Sequence, residues 1–283
     1  MDLQGHRGAR GHRPENTRAA FQLALAEGMT TIELDTTLTS DGHLVVHHDV
    51  NTNPTLCTAA DGTSIVSQPV RSMTMAELRK LNCGSSPNPK FPEQVLSTQN
   101  LLSLKEFFEF IAQQTERYPA AKTVRFNVEI KFPENVPEAD VQGSVNRAVE
   151  VIEQAQMVDR STIQSFVLEA LPLVQQQNPN IRRAALFAPT KKQAVALKAG
   201  NRAAAKQIIQ RATALEVQII SPYHLYVDPQ FVSDAHAVGL RVVPWTVNEV
   251  PLMLKLMKAG VDGIISDYPD RLNEAYRQHQ KNR

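Results

Sequence analysis

The chain has 283 residues, of which 42% are hydrophobic, so it is long enough to bury a large core within one domain. Its 30 basic residues nearly balance its 29 acidic residues, and no basic stripe is present, which argues against nucleic-acid binding. No apolar run approaches the roughly 18 residues that indicate a membrane-spanning helix.

The first fifty residues alternate between short strands and a helix. Leu3 to His6 is a predicted strand, and a helix is predicted over residues 17–28. The second strand covers Thr31 to Asp35. Asp41-Gly42 then predicts a tight turn, after which Leu44 to His48 returns as an extended segment.

Residues 51–102 interrupt this alternation, because they are rich in Asn, Pro, Ser and Gly and contain one helical stretch over residues 74–81. A structureless loop of that length would be unusual in a compact domain, so we expect a small inserted lobe over one end of the fold. Cys57 and Cys83 lie in this segment. Their spacing leaves two alternatives open, a disulfide that closes the segment or two separate buried thiols.

Beyond residue 102 the alternation resumes, beginning with an amphipathic helix over Leu104 to Tyr118. Further strands are predicted at Val124–Lys131, Thr162–Phe166, Arg183–Phe187, Val217–Ser221, Val242–Val247 and Gly263–Ser266. Helices are predicted over residues 137–157, 168–177, 191–213, 229–238, 249–259 and 270–280.

Eight strand-helix units in this length predict an α/β fold, a single-domain (β/α)8 TIM barrel over residues 1–283, with the inserted lobe after its second strand. In such a barrel the site lies at the carboxyl ends of the strands. A doubly wound open sheet is the alternative, but no Gly-x-Gly-x-x-Gly turn supports it.

Acidic side chains end two of the predicted strands. Glu33 and Asp35 project to one face, because alternate residues of a strand do so, and the same holds for Asn127, Glu129 and Lys131. Adjacent carboxylates repel unless a cation lies between them, and oxygen ligands favour Mg²⁺ or Ca²⁺ over Zn²⁺. An isolated Glu-x-Asp pair would more often face solvent than bind a metal ion. Here the neighbouring motifs favour the metal site.

Two histidines end strands beside these carboxylates. His6 ends the first strand, and His48 ends the extended segment after the turn. An imidazole pKa of about 6.5 suits general acid and base catalysis near neutral pH. His47 must face the opposite way from His48, so at most one of the two serves.

Two cations and one aromatic residue complete the candidate site. Arg7 is suited to hold two phosphate oxygens, and Lys131 adds a point charge. Their alternative role is a salt bridge to Glu33 or Glu129. Trp245, the single tryptophan, ends a strand and either fills the barrel mouth or covers the substrate.

The order of these motifs resembles the glycerophosphodiester phosphodiesterase family over nearly the whole chain. The matching segments are His6-Arg7-Gly8, Glu15-Asn16-Thr17, Glu33-Leu34-Asp35, Asp41-Gly42 through His48-Asp49, Asn127 to Lys131, Gln164-Ser165-Phe166, Trp245 to Asn248 and Val261 to Pro269. The resemblance implies that Glu33, Asp35 and Glu129 bind one divalent cation. It also implies that His6 and His48 are catalytic, and it selects His48 over His47 because the family places that histidine immediately before an aspartate.

The resemblance further implies metal-dependent hydrolysis of a glycerophosphodiester to sn-glycerol 3-phosphate and an alcohol such as choline, ethanolamine or glycerol. Glu15 then supports the site or serves as an auxiliary ligand, and Asn16 positions a loop. Which histidine is the acid stays open, as does the nucleophile, which is either water or the glycerol 2-hydroxyl.

Two other functions fit the same motifs. One is a lysophospholipase D-like or sphingomyelinase D-like hydrolysis of lipid head groups, against which stands the lack of an evident amphipathic membrane-binding surface. The other is a barrel that binds phosphate compounds without cleaving them, which the fold alone would permit.

We expect a small-molecule partner, no nucleic acid and no stable membrane insertion. The first predicted strand starts by residue 2, which leaves no room for a signal peptide. The expected location is therefore the cytoplasm, or the periplasm or exterior if Met1 replaced a removed leader.

Overall fold

Strands and helices alternate along the chain in the computed structural model, which describes residues 1–282. The strands are β1 (Asp2–Gly5), β2 (Thr31–Leu38), β3 (Leu44–Val46), β4 (Thr58–Ala59), β5 (Leu81–Asn82), β6 (Arg125–Ile130), β7 (Ser161–Ser165), β8 (Arg182–Phe187), β9 (Ile219–Pro222), β10 (Arg241–Val242) and β11 (Gly263–Ser266). The helices are α1 (Arg18–Ala26), α2 (Met75–Leu78), α3 (Leu104–Gln113), α4 (Glu138–Gln154), α5 (Ala170–Gln177), α6 (Lys191–Lys198), α7 (Ala203–Ala214), α8 (Pro229–Ala237), α9 (Val250–Ala259) and α10 (Pro269–Lys281).

Eight parallel strands within residues 1–282 form the wall of a nearly closed barrel, in the order β10, β9, β8, β7, β6, β2, β1, β11. The segment after β10 closes the wall, because Val247 N donates to Ile265 O and Ile265 N donates to Pro244 O, both at 3.0 Å. The predicted TIM barrel is confirmed. The predicted strand Val242–Val247 is regular only at its start, since Pro244 has no N–H to donate.

Apolar side chains on the outside of the barrel pack against the helices. Phe107 on α3 contacts Phe21 on α1 and Phe126 on β6, with ring centroids 4.7 Å and 5.5 Å apart. All three rings are fully buried, and each contributes roughly 2–3 kcal/mol of burial free energy. This packing fixes α1 and α3 against β6, one of the two strands that carry the candidate site.

The inside of the barrel is polar on the side of β1, β2, β6 and β7. Asn127 donates to Gln4 and to Gln164, each at 2.9 Å, and Gln164 donates to Glu33 at 3.1 Å. These hydrogen bonds link the buried amides to the carboxylate of Glu33, although Asn127 Oδ1 has no partner among the described residues.

The predicted helix over residues 191–213 is wrong, because the chain forms α6 and α7 with a break between them. Gly200 at the break has φ 84°, a left-handed conformation that ends helices. Asn201 then accepts a hydrogen bond from Ala203 N at 2.9 Å, just before the second helix begins at Ala203. The predicted helix over Leu104 to Tyr118 also stops early, at Gln113.

Residues 51–102 contain the short antiparallel pair of β4 and β5 as well as α2. Cys57 and Cys83 are joined by a disulfide, with their Cα atoms 4.0 Å apart, which decides between the two alternatives. Gln94 Nε2 attaches this segment to the barrel by donating to Arg10 O and Arg13 O. The segment therefore lies beside the loop that follows β1.

No helix within the described part of the chain combines the length and the hydropathy needed to cross a lipid bilayer.

Candidate active site

Three carboxylates meet inside the barrel near the carboxyl ends of β2 and β6. The strand register pairs Glu33 with Asn127 and Asp35 with Glu129. One oxygen from each of Glu33, Asp35 and Glu129 lies within 4.8 Å of the others, and all three side chains are buried. Asp35 Oδ1 has no hydrogen-bond partner among the described residues. A hard divalent cation would satisfy this oxygen and compensate the three charges.

Electrostatics make this cluster costly without a cation. Burial, together with Asp35 and Glu129, raises the pKa of Glu33 well above its usual value. Burial also raises the pKa of Glu129, although Lys131 partly opposes that effect. Burial works against ionisation of Asp35 as well, but the Arg7 guanidinium holds its pKa well below the usual range. Burial and mutual repulsion therefore oppose ionisation of Glu33 and Glu129, whereas Arg7 favours ionisation of Asp35.

The loop after β1 places Arg7 against these carboxylates. Arg7 has φ 50°, a left-handed conformation that is costly for a residue with a Cβ atom, and its N–H donates to Glu33 Oε2 at 2.9 Å. Its guanidinium donates to Glu15 at 2.7 Å and lies 3.2 Å from Asp35. Asn16 donates to Asp35 Oδ2 at 2.9 Å. Glu15 thus contacts Arg7, and Asn16 contacts the candidate metal ligand Asp35. The Arg7 guanidinium pairs with Glu15 and Asp35 rather than with Glu33 or Glu129.

His6 lies between a carboxylate on each side of its ring. Its Nδ1 is 2.6 Å from Asp267 Oδ1, and its Nε2 is 3.9 Å from Glu33 Oε2. Against the effect of burial, His6 and Arg10 lower the pKa of Asp267, so this carboxylate is ionised and accepts the proton of Nδ1. Burial, then Arg10, lowers the pKa of His6 to about 4. A neutral His6 therefore presents an unprotonated Nε2 to the cavity.

His48 has a similar arrangement on the other side of the carboxylates. Its Nδ1 is 2.7 Å from Asp49 Oδ1, and its Nε2 is 3.2 Å from Lys131 Nζ. Lys131 also donates to Glu129 at 2.7 Å, so it forms the salt bridge that the sequence left as an alternative. His47 is buried and its Nε2 lies 3.2 Å from the backbone oxygen of Asn51. Of the two adjacent histidines, only His48 reaches Lys131.

Trp245 lines the cavity that opens above the carboxylates. Its indole N–H donates to Ser221 O at 2.8 Å, and its ring meets Phe166 and Tyr223 edge to face, with centroids 5.4 Å apart in both pairs. The cavity has a volume of about 290 Å³. We call it the barrel-mouth cavity, and its lining includes His6, Arg7, Glu33, His48, Glu129, Lys131, Phe166 and Trp245.

Three residues of the site carry roles that sequence reasoning missed. Asp267 orients His6, Asp49 orients His48, and Gln164 donates to the candidate metal ligand Glu33. Asp49 directly follows its histidine, which was an available signal. Gln164 and Asp267 stand in the recognised motifs, but nothing in their spacing pairs them with residues of β1 and β2.

A sequence model described as "Glycerophosphoryl diester phosphodiesterase family" matches residues 6–271. The chain belongs to this family. A glycerophosphodiester phosphodiesterase from Caldanaerobacter subterraneus subsp. tengcongensis is 30% identical over 278 residues, which cover 96% of each chain. The family and enzyme class predicted from the motifs, a phosphoric diester hydrolase, are confirmed.

Solved structures of the family are similar over almost their full length. A putative glycerophosphoryl diester phosphodiesterase from Silicibacter pomeroyi has a TM-score of 0.88 and 27% identity, covering 99% of this chain and 94% of that one. A phosphodiesterase from Oleispira antarctica, solved with the product sn-glycerol-3-phosphate, has a TM-score of 0.75 and 27% identity, covering 98% and 97%.

Proposed function

We propose that this glycerophosphodiester phosphodiesterase uses one divalent cation and two histidines to release sn-glycerol 3-phosphate and an alcohol. The observation that carries the proposal is the convergence of three buried carboxylates, Arg7 and two carboxylate-paired histidines at one cavity. The product bound in the Oleispira antarctica phosphodiesterase supports the choice of product.

Glu33, Asp35 and Glu129 would hold the cation, Mg²⁺ or Ca²⁺. Their all-oxygen composition and the unpartnered Asp35 Oδ1 fit such an ion. When bound, a divalent cation neutralises charge that develops on phosphoryl oxygens.

Arg7 and Lys131 supply fixed positive charge to the same oxygens. Both line the barrel-mouth cavity, and their partners Glu15 and Glu129 hold them in position. Against the effect of burial, Glu129 raises the pKa of Lys131, so the ammonium stays charged. Cations that are already oriented stabilise the transition state without reorganisation.

The two histidines divide the proton transfers between them. His6 is neutral with its Nε2 unprotonated, which suits it to remove a proton from the nucleophile. His48 is the candidate to protonate the leaving alcohol, because Asp49 fixes its Nδ1 at 2.7 Å and its ring lines the barrel-mouth cavity on the other side of the carboxylates.

The decisive experiment is a panel of glycerophosphodiesters and their acylated relatives, each assayed after chelation and after addition of Mg²⁺ or Ca²⁺, with the released alcohol and the phosphate monoester, which is glycerol 3-phosphate or its acylated form, as the readout. We expect hydrolysis of the diesters, loss on chelation and recovery with either ion. Undiminished hydrolysis by the metal-free protein would refute the carboxylate site. A substrate lacking the glycerol 2-hydroxyl tests the nucleophile, because its normal turnover excludes a cyclic intermediate.

A further inference from the structure

A second cavity of about 340 Å³ lies between the barrel and the inserted segment. We call it the lobe cavity. The residues that matter for its chemistry are Arg7, Arg10 and His48 from the barrel and Asn88, Lys90 and Phe91 from the inserted segment.

The lobe cavity and the barrel-mouth cavity meet at the reaction centre. Arg7, Arg10 and His48 line both, whereas Trp245 lines only the barrel-mouth cavity. A diester with its phosphorus beside Arg7 and His48 can therefore extend one ester arm into each cavity. A third crevice of about 480 Å³ shares only His48 and Lys131 with the barrel-mouth cavity, so it offers no guanidinium to such a phosphate.

Hydrogen-bond donors from the inserted segment face the lobe cavity. Asn88 is 8% exposed, and its Oδ1 is used by Lys90 N at 3.0 Å, which leaves its Nδ2 to donate elsewhere. The Lys90 ammonium forms no ion pair within residues 1–282 and is exposed at the cavity. These groups complement oxygen atoms that accept hydrogen bonds, as hydroxyl groups do.

The same cavity offers poor recognition of a cationic head group. Phe91 is the one phenylalanine among the described residues that line it, which include no tyrosine or tryptophan, and the Arg10 guanidinium lies 4.8 Å from the centroid of its ring. The Arg10 guanidinium therefore already occupies the ring face to which a cationic head group would bind. Glu15 is paired with Arg7, and Asp49 is bonded to His48 and Asn53. The guanidinium of Arg7 therefore neutralises Glu15, both oxygens of Asp49 already have hydrogen-bond partners, and Lys90 would repel an ammonium group.

Building on the proposed hydrolysis, we propose that the lobe cavity is the subsite for the leaving alcohol and that it selects neutral polyhydroxylated alcohols over choline and ethanolamine. A glycerol-type alcohol accepts hydrogen bonds from Asn88 and Lys90 and departs next to His48. A quaternary ammonium group meets Arg10 and Lys90 instead. The lobe cavity would therefore attract neutral polyhydroxylated alcohols and repel cationic ones.

The test compares kcat/KM for glycerophosphoglycerol and glycerophosphocholine in the wild-type enzyme and in three variants. Asn88→Asp keeps the oxygen that accepts from Lys90 N but replaces the donor with a negative charge. Lys90→Ala removes the exposed ammonium, and Lys80→Ala is the matched control, because Lys80 is an exposed lysine of the same segment outside the cavity.

We expect wild type and Lys80→Ala to prefer the glycerol ester by about tenfold, the size of one hydrogen bond involving a charged group. Asn88→Asp and Lys90→Ala should each lower kcat/KM for that ester by about tenfold while the choline ester keeps or gains rate. Equal use of both esters by wild type, or equal losses on both esters in either cavity variant, would overturn the subsite. Hydrolysis of neither ester by wild type would overturn the proposed function itself.

Discussion

The carboxylate cluster predicts that replacing Glu33 with Gln stabilises the metal-free protein while abolishing its response to divalent cations. One Glu33 oxygen lies within 4.8 Å of an oxygen of Asp35 and of Glu129, which corresponds to a repulsion of about 3 kcal/mol per ionised pair at an effective dielectric constant of about 20. Folding must either accept that repulsion or protonate Glu33, and the substitution removes both costs.

The gain in stability is smaller than this repulsion, because Glu33→Gln also loses a hydrogen bond. The Gln oxygen can still accept from Arg7 N, but its amide NH₂ faces the Gln164 donor, which costs about 1 kcal/mol. We therefore expect Glu33→Gln to raise the metal-free unfolding free energy by about 2 kcal/mol, or about 4–8 °C in Tm. In wild type, Mg²⁺ or Ca²⁺ at about 100 times its dissociation constant should add about 2.7 kcal/mol.

Thermal unfolding with chelator and with each cation measures both effects. The matched control is Glu15→Gln, which neutralises a carboxylate of the same site outside the cluster. Arg7, against the effect of burial, lowers the pKa of Glu15, so this variant should lose stability yet keep the cation-dependent increase in Tm. If Glu33→Gln retained the full cation-dependent increase, or if its metal-free form were less stable than wild type, the reasoning about this cluster would be refuted.

Three further predictions concern other parts of the molecule. In steady-state kinetics, His6→Gln and His48→Gln should each lower kcat by about 10² to 10⁴ with little change in KM. The control His47→Gln, once checked for folding, should keep the wild-type kcat. Full activity in His6→Gln or His48→Gln would refute the acid-base assignment. His6 has a pKa of about 4 in the folded protein and about 6.5 in the unfolded chain, so between about pH 6.5 and about pH 4 only the unfolded chain binds a proton at this residue. The free energy of unfolding should therefore fall by about 3 kcal/mol as the pH drops from about 6.5 to about 4. Denaturant unfolding across this pH range should show that loss in metal-free wild type and a smaller one in His6→Gln, and equal slopes would contradict it. The disulfide between Cys57 and Cys83 closes a loop of 26 positions, so its reduction, or replacement of both residues with Ser, should lower the free energy of unfolding by about 3.5 kcal/mol by the chain-entropy argument. An unchanged Tm would show that the disulfide does not stabilise the fold.

Local periodicity placed Glu33 and Asp35 on one face of their strand and Glu129 on one face of another, because alternate residues of a strand share a face. The resemblance to the family then grouped the three as ligands of one cation, and the strand register brings them together. Reasoning from periodicity failed over residues 191–213. Gly200-Asn201 was an available stop signal that the prediction passed over, and the structure ends α6 before it and begins α7 after it.

By itself, the order of motifs determined the family, the barrel and the identity of the residues that meet at its mouth. Tertiary structure decided how those residues are paired. Asp267 is 261 positions from His6, and Gln164 is 131 positions from Glu33. They meet because β11 closes the barrel beside β1, and because β7 lies beside β6, the neighbour of β2. Hydrogen-bond partners and cavity walls depend on distances set by closure of the whole sheet, and no local pattern in the chain encodes those distances.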